Sequence, residues 1–151
     1  MSRLGIALLA LAAAGLLAGE DFTFTLASPV AAQDFRFKMA AFVFRTEGCA
    51  EPAKPEVTAT AEGVVAGVRR SVAVQVMATG KPGIFAVGQT WPPEGKWLVN
   101  LKGVCGAHRA GALVPMNEKG FIRESAKFFP RPATTGEIEA SLKAHSEGGK
   151  K

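Results

Sequence analysis

Apolar and polar residues alternate with a period of two along much of this chain. In "FRFKM", Phe35, Phe37 and Met39 alternate with Arg36 and Lys38, and in "RSVAVQVMA", Val72, Val74 and Val76 alternate with Ala73 and Gln75. Successive side chains of a strand point to opposite faces, so each run would turn one apolar face inward. Turn chemistry separates the runs. In "GKPGI", Pro82 presets φ and Gly83 supplies the positive φ of a type II turn. "PPEG" at 92–95 suits a type I turn, and "MNEKG" at 116–120 suits a short hairpin loop ending in glycine. Reading between these marks predicts strands near 35–46, 56–61, 69–79, 83–90, 96–103, 109–115 and 121–129. About seven short, closely spaced strands imply an all-β antiparallel sandwich rather than an α/β fold.

The period changes at the end of the chain. "TTGEIEASLKAH" offers Thr134 or Thr135 as an N-cap, acids in the early turns, and Ile138 with Leu142 four residues apart. One short C-terminal helix over 133–146 is expected, followed by a polar disordered tail at 147–151.

The first residues carry a different pattern. Arg3 precedes an unbroken apolar run from Leu4 to Leu17, and Leu4 to Gly19 spans only 16 residues. That is shorter than the ~20 needed to cross a bilayer and has the layout of a secretory signal peptide. Small residues permit cleavage after Ala18, Ala27 or Ala32. The expected leader is 1–27, with the cut as late as 32, leaving a β-sandwich over 34–132. Glu20 stands where a lipidated cysteine would be required, so a thioether lipid anchor is excluded there. Removing 1–27 discards one base and two acids and moves the formal charge from +5 to +6. The bases are scattered from Arg36 to Lys151 without a dense run. This argues for a solvated basic surface, not nucleic-acid binding.

Export changes the reading of the two cysteines, Cys49 and Cys105. In an oxidising compartment a lone pair is expected to be joined. Gly48 and Gly106 beside them allow close backbone approach. The rival chemistry is a thiol enzyme with Cys105 as nucleophile and His108 as its base, which needs a free thiolate. Metal binding is another alternative, with copper held by His108 and Met116 if that strand bends. A tetrahedral zinc site needs three or four ligands and the chain offers only two His and two Cys in total, and its methionines do not cluster. After a cut at Ala27 the only Asp is Asp34, and no carboxylate pair, nucleophile elbow or phosphate-binding loop is visible. The reading is of a protein that is not an enzyme and carries no cofactor.

The aromatic residues supply the candidate contacts. Trp91 and Trp97 flank the Pro-Pro-Glu-Gly turn, where exposed rings would form a stacking or cation-π platform and buried rings would close the core. In "AKFFPRP", Phe128 and Phe129 with the following prolines offer a second edge for a partner.

The stretch "GIFAVGQTWPPEGKWLVNL" resembles small exported bacterial immunoglobulin-like sandwiches of the YtkA-like and FixH-like type. The resemblance rests on Pro82 and Gly83 leading into one strand and on Pro93, Gly95 and Trp97 marking the start of the next. It implies an immunoglobulin-like β-sandwich in the cell envelope, secreted or periplasmic, with no catalytic residues to carry over. The chain departs from that pattern in having a cysteine pair and in lacking clustered His and Met. It also lacks the antibody-type spacing, since Trp97 lies eight residues before the second cysteine. The expected function is a non-catalytic binding or accessory module for another envelope protein or an anionic surface, anchored by Trp91, Trp97 and Phe128 and without stable membrane insertion once the leader is removed.

Overall fold

Ten strands, all paired antiparallel, form two sheets in the computed structural model, which describes residues 21–28, 37 and 39–148. The first sheet contains β1 (Thr23–Ala27), β2 (Phe42–Glu47), β6 (Ile84–Val87) and β5 (Val76–Ala78), in the order β1-β2-β6-β5. The second contains β10 (Lys127–Phe129), β8 (His108–Asn117), β7 (Lys96–Cys105), β3 (Glu56–Val65) and β4 (Val68–Val74), in the order β10-β8-β7-β3-β4, with β9 (Gly120–Phe121) paired to β8. One helix, α1 (Thr135–Gly148), follows. The all-β sandwich with a C-terminal helix is therefore the fold, built from more and shorter strands than the seven expected.

Alternation explains which faces are buried. On β7, Trp97, Val99, Leu101 and Cys105 turn toward the first sheet, where they meet Phe22, Phe24 and Leu26 of the β1 segment and Phe42 and Phe44 of β2 in one core cluster. Two glycines make room for the largest rings. A Cβ at Gly103 would lie 2.6 Å from Phe24 Cζ and 2.9 Å from Phe22 Cε1, and one at Gly63 would fall inside the Trp97 indole. Gly63→Ala is accordingly expected to cost about 1–3 kcal/mol through overpacking. A lower denaturant midpoint at unchanged slope would show it.

Several predicted boundaries move. Of the strand predicted over 35–46, residues 35, 36 and 38 lie outside the described residues, and Phe42–Glu47 forms β2. Ala40 N–H donates to the Phe37 carbonyl at 3.0 Å, a turn that leaves Met39 89% exposed. Phe37 is buried nonetheless, because it caps the outer face of the first sheet against Ala40, Val43 and Ala86. The run 69–79 divides at Gln75, where the chain passes from the second sheet to the first: Val74 pairs with Ala59, and Val76 with Val87. The segment 121–129 breaks into β9, a 3-10 turn at Arg123–Ser125, and β10. The turns at Lys81–Ile84 and Asn117–Gly120 form as expected, with Gly83 at φ 73° and Gly120 at φ 130°.

The N-terminal boundary requires the largest correction. Residues 1–20 lie outside the described residues. Within the leader expected over 1–27, however, Phe22, Phe24 and Leu26 are 3–5% exposed, and Thr23–Ala27 pairs with Val43–Glu47 of β2. The sandwich thus starts before residue 34. Arg123 Nη2 donates to the Leu26 carbonyl at 3.2 Å, tying β1 to the opposite sheet.

The helix is shifted by two residues from 133–146. Thr134 is its cap: Glu137 N–H donates to Thr134 Oγ1 at 3.2 Å, and Thr134 N–H donates to Glu137 Oε2 at 2.7 Å. Arg131, followed by the Thr134 main chain, holds the Glu137 carboxyl down to about 2. Residues 147 and 148, expected in a disordered tail, belong to the helix; 149–151 lie outside the described residues.

Candidate functional site

The two ends of the sandwich separate the residues singled out above. At one end Cys49, just past β2, and Cys105, closing β7, form a disulfide across 56 residues of sequence with Cα atoms 5.7 Å apart. It links the first sheet to the second. Gly48 and Gly106 adopt φ 78° and 59°, backbone conformations that glycine reaches without the penalty a Cβ brings. Joined in this way, Cys105 offers no free thiolate of the kind that the thiol-enzyme alternative needs. The nearby His108 is exposed, paired in register with Cys105 across the β7–β8 turn.

Met116 stands at the other end of β8. Eight residues of uninterrupted strand at about 3.3 Å each place it roughly 26 Å from His108. The bend needed to bring the two together does not occur, so the structure does not place His108 and Met116 in one site. Among the described residues no group of three or more His, Cys, Asp or Glu could hold a metal.

Around Met116 the chain builds an open cleft of about 1210 Å³. The 92–95 turn and the 117–120 turn form one wall, and Ala40, Ala41 and Ser28 at the edge of the first sheet form the other. Its floor is apolar, from Trp91, Trp97, Met116 and Phe121. Its rim is polar, from Gln89, Glu94, Lys96, Asn117, Glu118 and Lys119. Trp97 is fixed by its Nε1–H, which donates to the Glu94 carbonyl at 2.8 Å. Both indoles are mostly covered, Trp91 at 6% and Trp97 at 3% exposure. They do not form the exposed platform considered above, because Gly63 admits the Trp97 ring to the core and the Pro-Pro turn folds back over it. Phe128 meets the expectation better: it is 50% exposed on the edge strand β10.

Two features were not anticipated, a buried carboxylate and the cleft itself. Glu62, buried on β3, accepts from Thr60 Oγ1 at 2.9 Å, Ser71 Oγ at 3.0 Å and Arg69 Nη1 at 2.8 Å. With both oxygens engaged it is a structural carboxylate. The signal for it was an acid within an alternating strand, opposite a serine in the neighbouring one. The cleft was less legible, because its walls come from four separate segments.

These features define a two-sheet antiparallel sandwich with one inter-sheet disulfide, a helix over one face and an open cleft at one end. Among the described residues no helix is long and apolar enough to cross a membrane. In comparisons with known proteins, no protein-family model, curated protein or solved structure matches the chain.

Proposed function

We propose that this protein is an exported, non-catalytic binding module of the cell envelope, secreted or periplasmic, and that it engages a partner protein or anionic surface through the cleft beside Trp97. The observation that carries the reading is the lining of that cleft, which combines Trp91, Trp97, Met116 and Phe121 with the charged side chains of Lys96, Lys119, Glu94 and Glu118. Concave apolar surface with a few placed polar groups is the usual form of a binding site. The inter-sheet disulfide and the apolar N-terminal run support export.

A second reading places the contact at Phe128 on the β10 edge, on the strength of its exposure. Charge reversal separates the two. Binding to a defined anionic partner, such as vesicles with a high fraction of anionic lipid or an acidic protein, should fall about tenfold in K96E/K119E at low salt and persist in F128D. Loss in F128D alone would move the site to the β10 edge. Retention in both variants would refute the cleft and the edge together.

A further inference from the structure

We propose that α1 is an acid-released cover, docked on the outer face of the second sheet at neutral pH and freed when its half-buried histidine must take up a proton. Its attachment is sparse. Among its residues only Ser141 and Leu142 are buried, and Leu142 alone packs deeply, against Leu98 of β7 and Leu113 of β8. The same interface encloses three polar atoms with no hydrogen-bond partner among the described residues: Asn100 Oδ1, Ser141 Oγ and His145 Nε2. Asn100 and Ser141 are 1% and 5% exposed. Buried polar groups are normally paired, and an unpaired one forfeits its hydration. Opening α1 returns all three to water at the expense of the Leu142 contact with Ile138 beside it, the main-chain hydrogen bonds of the His145 ring at Met116 and Trp97, and one surface ion pair, Arg69 Nη2 to Glu139 Oε1 at 3.0 Å.

The helix is better held at its start than at its end. The Thr134–Glu137 capping pair and the Arg131–Glu137 ion pair fix the first turn. His145 lies in the last turn, so opening would swing the C-terminal half and uncover Leu98 and Leu113.

Burial lowers the His145 pKa from its ordinary 6.5, Lys96 of β7 lowers it further, and the main chain at Met116 and Trp97 pulls the other way. The other charges on the packed elements are few. Glu62 of β3 and Glu139 of α1 are bridged by Arg69 of β4, Lys143 and Glu147 flank the ring on its own helix, and His108 and Arg109 lie at the far end of β8. A carbonyl-rich helix terminus favours the imidazolium whether α1 is docked or released as a helix, so it largely cancels between the two states. The sign follows from linkage: docking binds fewer protons than release. Docking is therefore at full strength above pH 6.5 and weakens as pH falls toward the lowered docked value.

Hydrogen exchange of the exported protein, disulfide intact, tests this at pH 7.5 and pH 5.5, a window above the ordinary carboxylate pKa of about 4.3. After correction for chemical exchange rates, amides in the second half of α1 should open up to about tenfold more at pH 5.5, the limit for one histidine titrating at about 6.5 when free. Amides of β7 and β8 should not change. In His145→Leu the ratio between the two pH values should fall to one. In Arg69→Ala, α1 should exchange faster at both pH values with the ratio kept. A pH-independent α1, an acid response that survives His145→Leu, a ratio abolished by Arg69→Ala, or opening of β7 and β8 together with α1 would each overturn the proposal.

Discussion

A protein that begins at Ser28 is expected not to fold, whereas one that begins at Gly19 is expected to fold cooperatively. The cut after Ala27 suits the small-residue rule for leader removal, but it discards Phe22, Phe24 and Leu26, all within the main core cluster. Burying such side chains contributes about 1.5–3 kcal/mol each. Their joint loss, about 6 kcal/mol, is comparable with the whole stability of an ordinary domain, about 5–15 kcal/mol. More is lost besides. The β1 segment supplies the rings that fill the space over Gly103, and Phe24 meets Phe44 edge to face with centroids 5.5 Å apart. Without β1, the long β2 edge would also be left unpaired, a template for aggregation. Circular dichroism melts of the two forms check the stability. The mass of the mature protein tests the proposed export, with an N-terminus at Gly19 expected. Cleavage there removes one base and no acid, so the mature charge becomes +4 instead of +6. A form beginning at Ser28 that melts within a few degrees of the longer one would remove β1 from the account of stability.

That correction shows what could and could not be read along the chain. Phe22, Phe24 and Leu26 alternate with Thr23 and Thr25 as clearly as any strand found by its period. Two local signals, strand alternation and a cleavage rule, overlapped on the same residues. The contact that decides between them is with Gly103, some 80 positions away. The fate of the indoles has the same character: Trp97 is buried because Gly63 on the neighbouring strand lacks a side chain, and a glycine inside a strand pattern is a sign of such close approach. The middle strands and their turns were legible because each depends on residues within a few positions of one another. Pro82–Gly83 and the β8–β9 loop need no distant partner. The strain-free length of β8, which separates His108 from Met116, was readable in principle from its apolar run but was obscured by allowing the strand to bend. Helix α1 announced its cap and its Ile138–Leu142 stripe, yet nothing in the sequence pattern showed that it would cover Asn100.

Replacing both cysteines, Cys49→Ala with Cys105→Ala, is expected to cost up to about 4 kcal/mol and about 15 °C in Tm without changing the fold. The estimate follows from closing 56 residues of sequence in the unfolded chain, which makes it an upper value where the denatured state keeps structure. Position matters as much as magnitude. The bridge joins the sheets at the end opposite the cleft, roughly a strand length from Trp97 and Met116. At that far end the sheets are held by Trp91, Trp97 and Phe42 in the shared core, and along one side by Arg123 on the Leu26 carbonyl. Loss of the disulfide should therefore loosen the 48–54 and 105–108 segments first, seen as faster exchange there, and leave affinity at the cleft within about twofold. A loss of affinity in step with the loss of stability would mean that the two ends are mechanically coupled, so that the bridge also shapes the cleft. Alkylation of two thiols in the non-reduced wild-type protein would instead mean that the bridge is not formed, returning "GVCGAHRAG" to the status of a candidate thiol site.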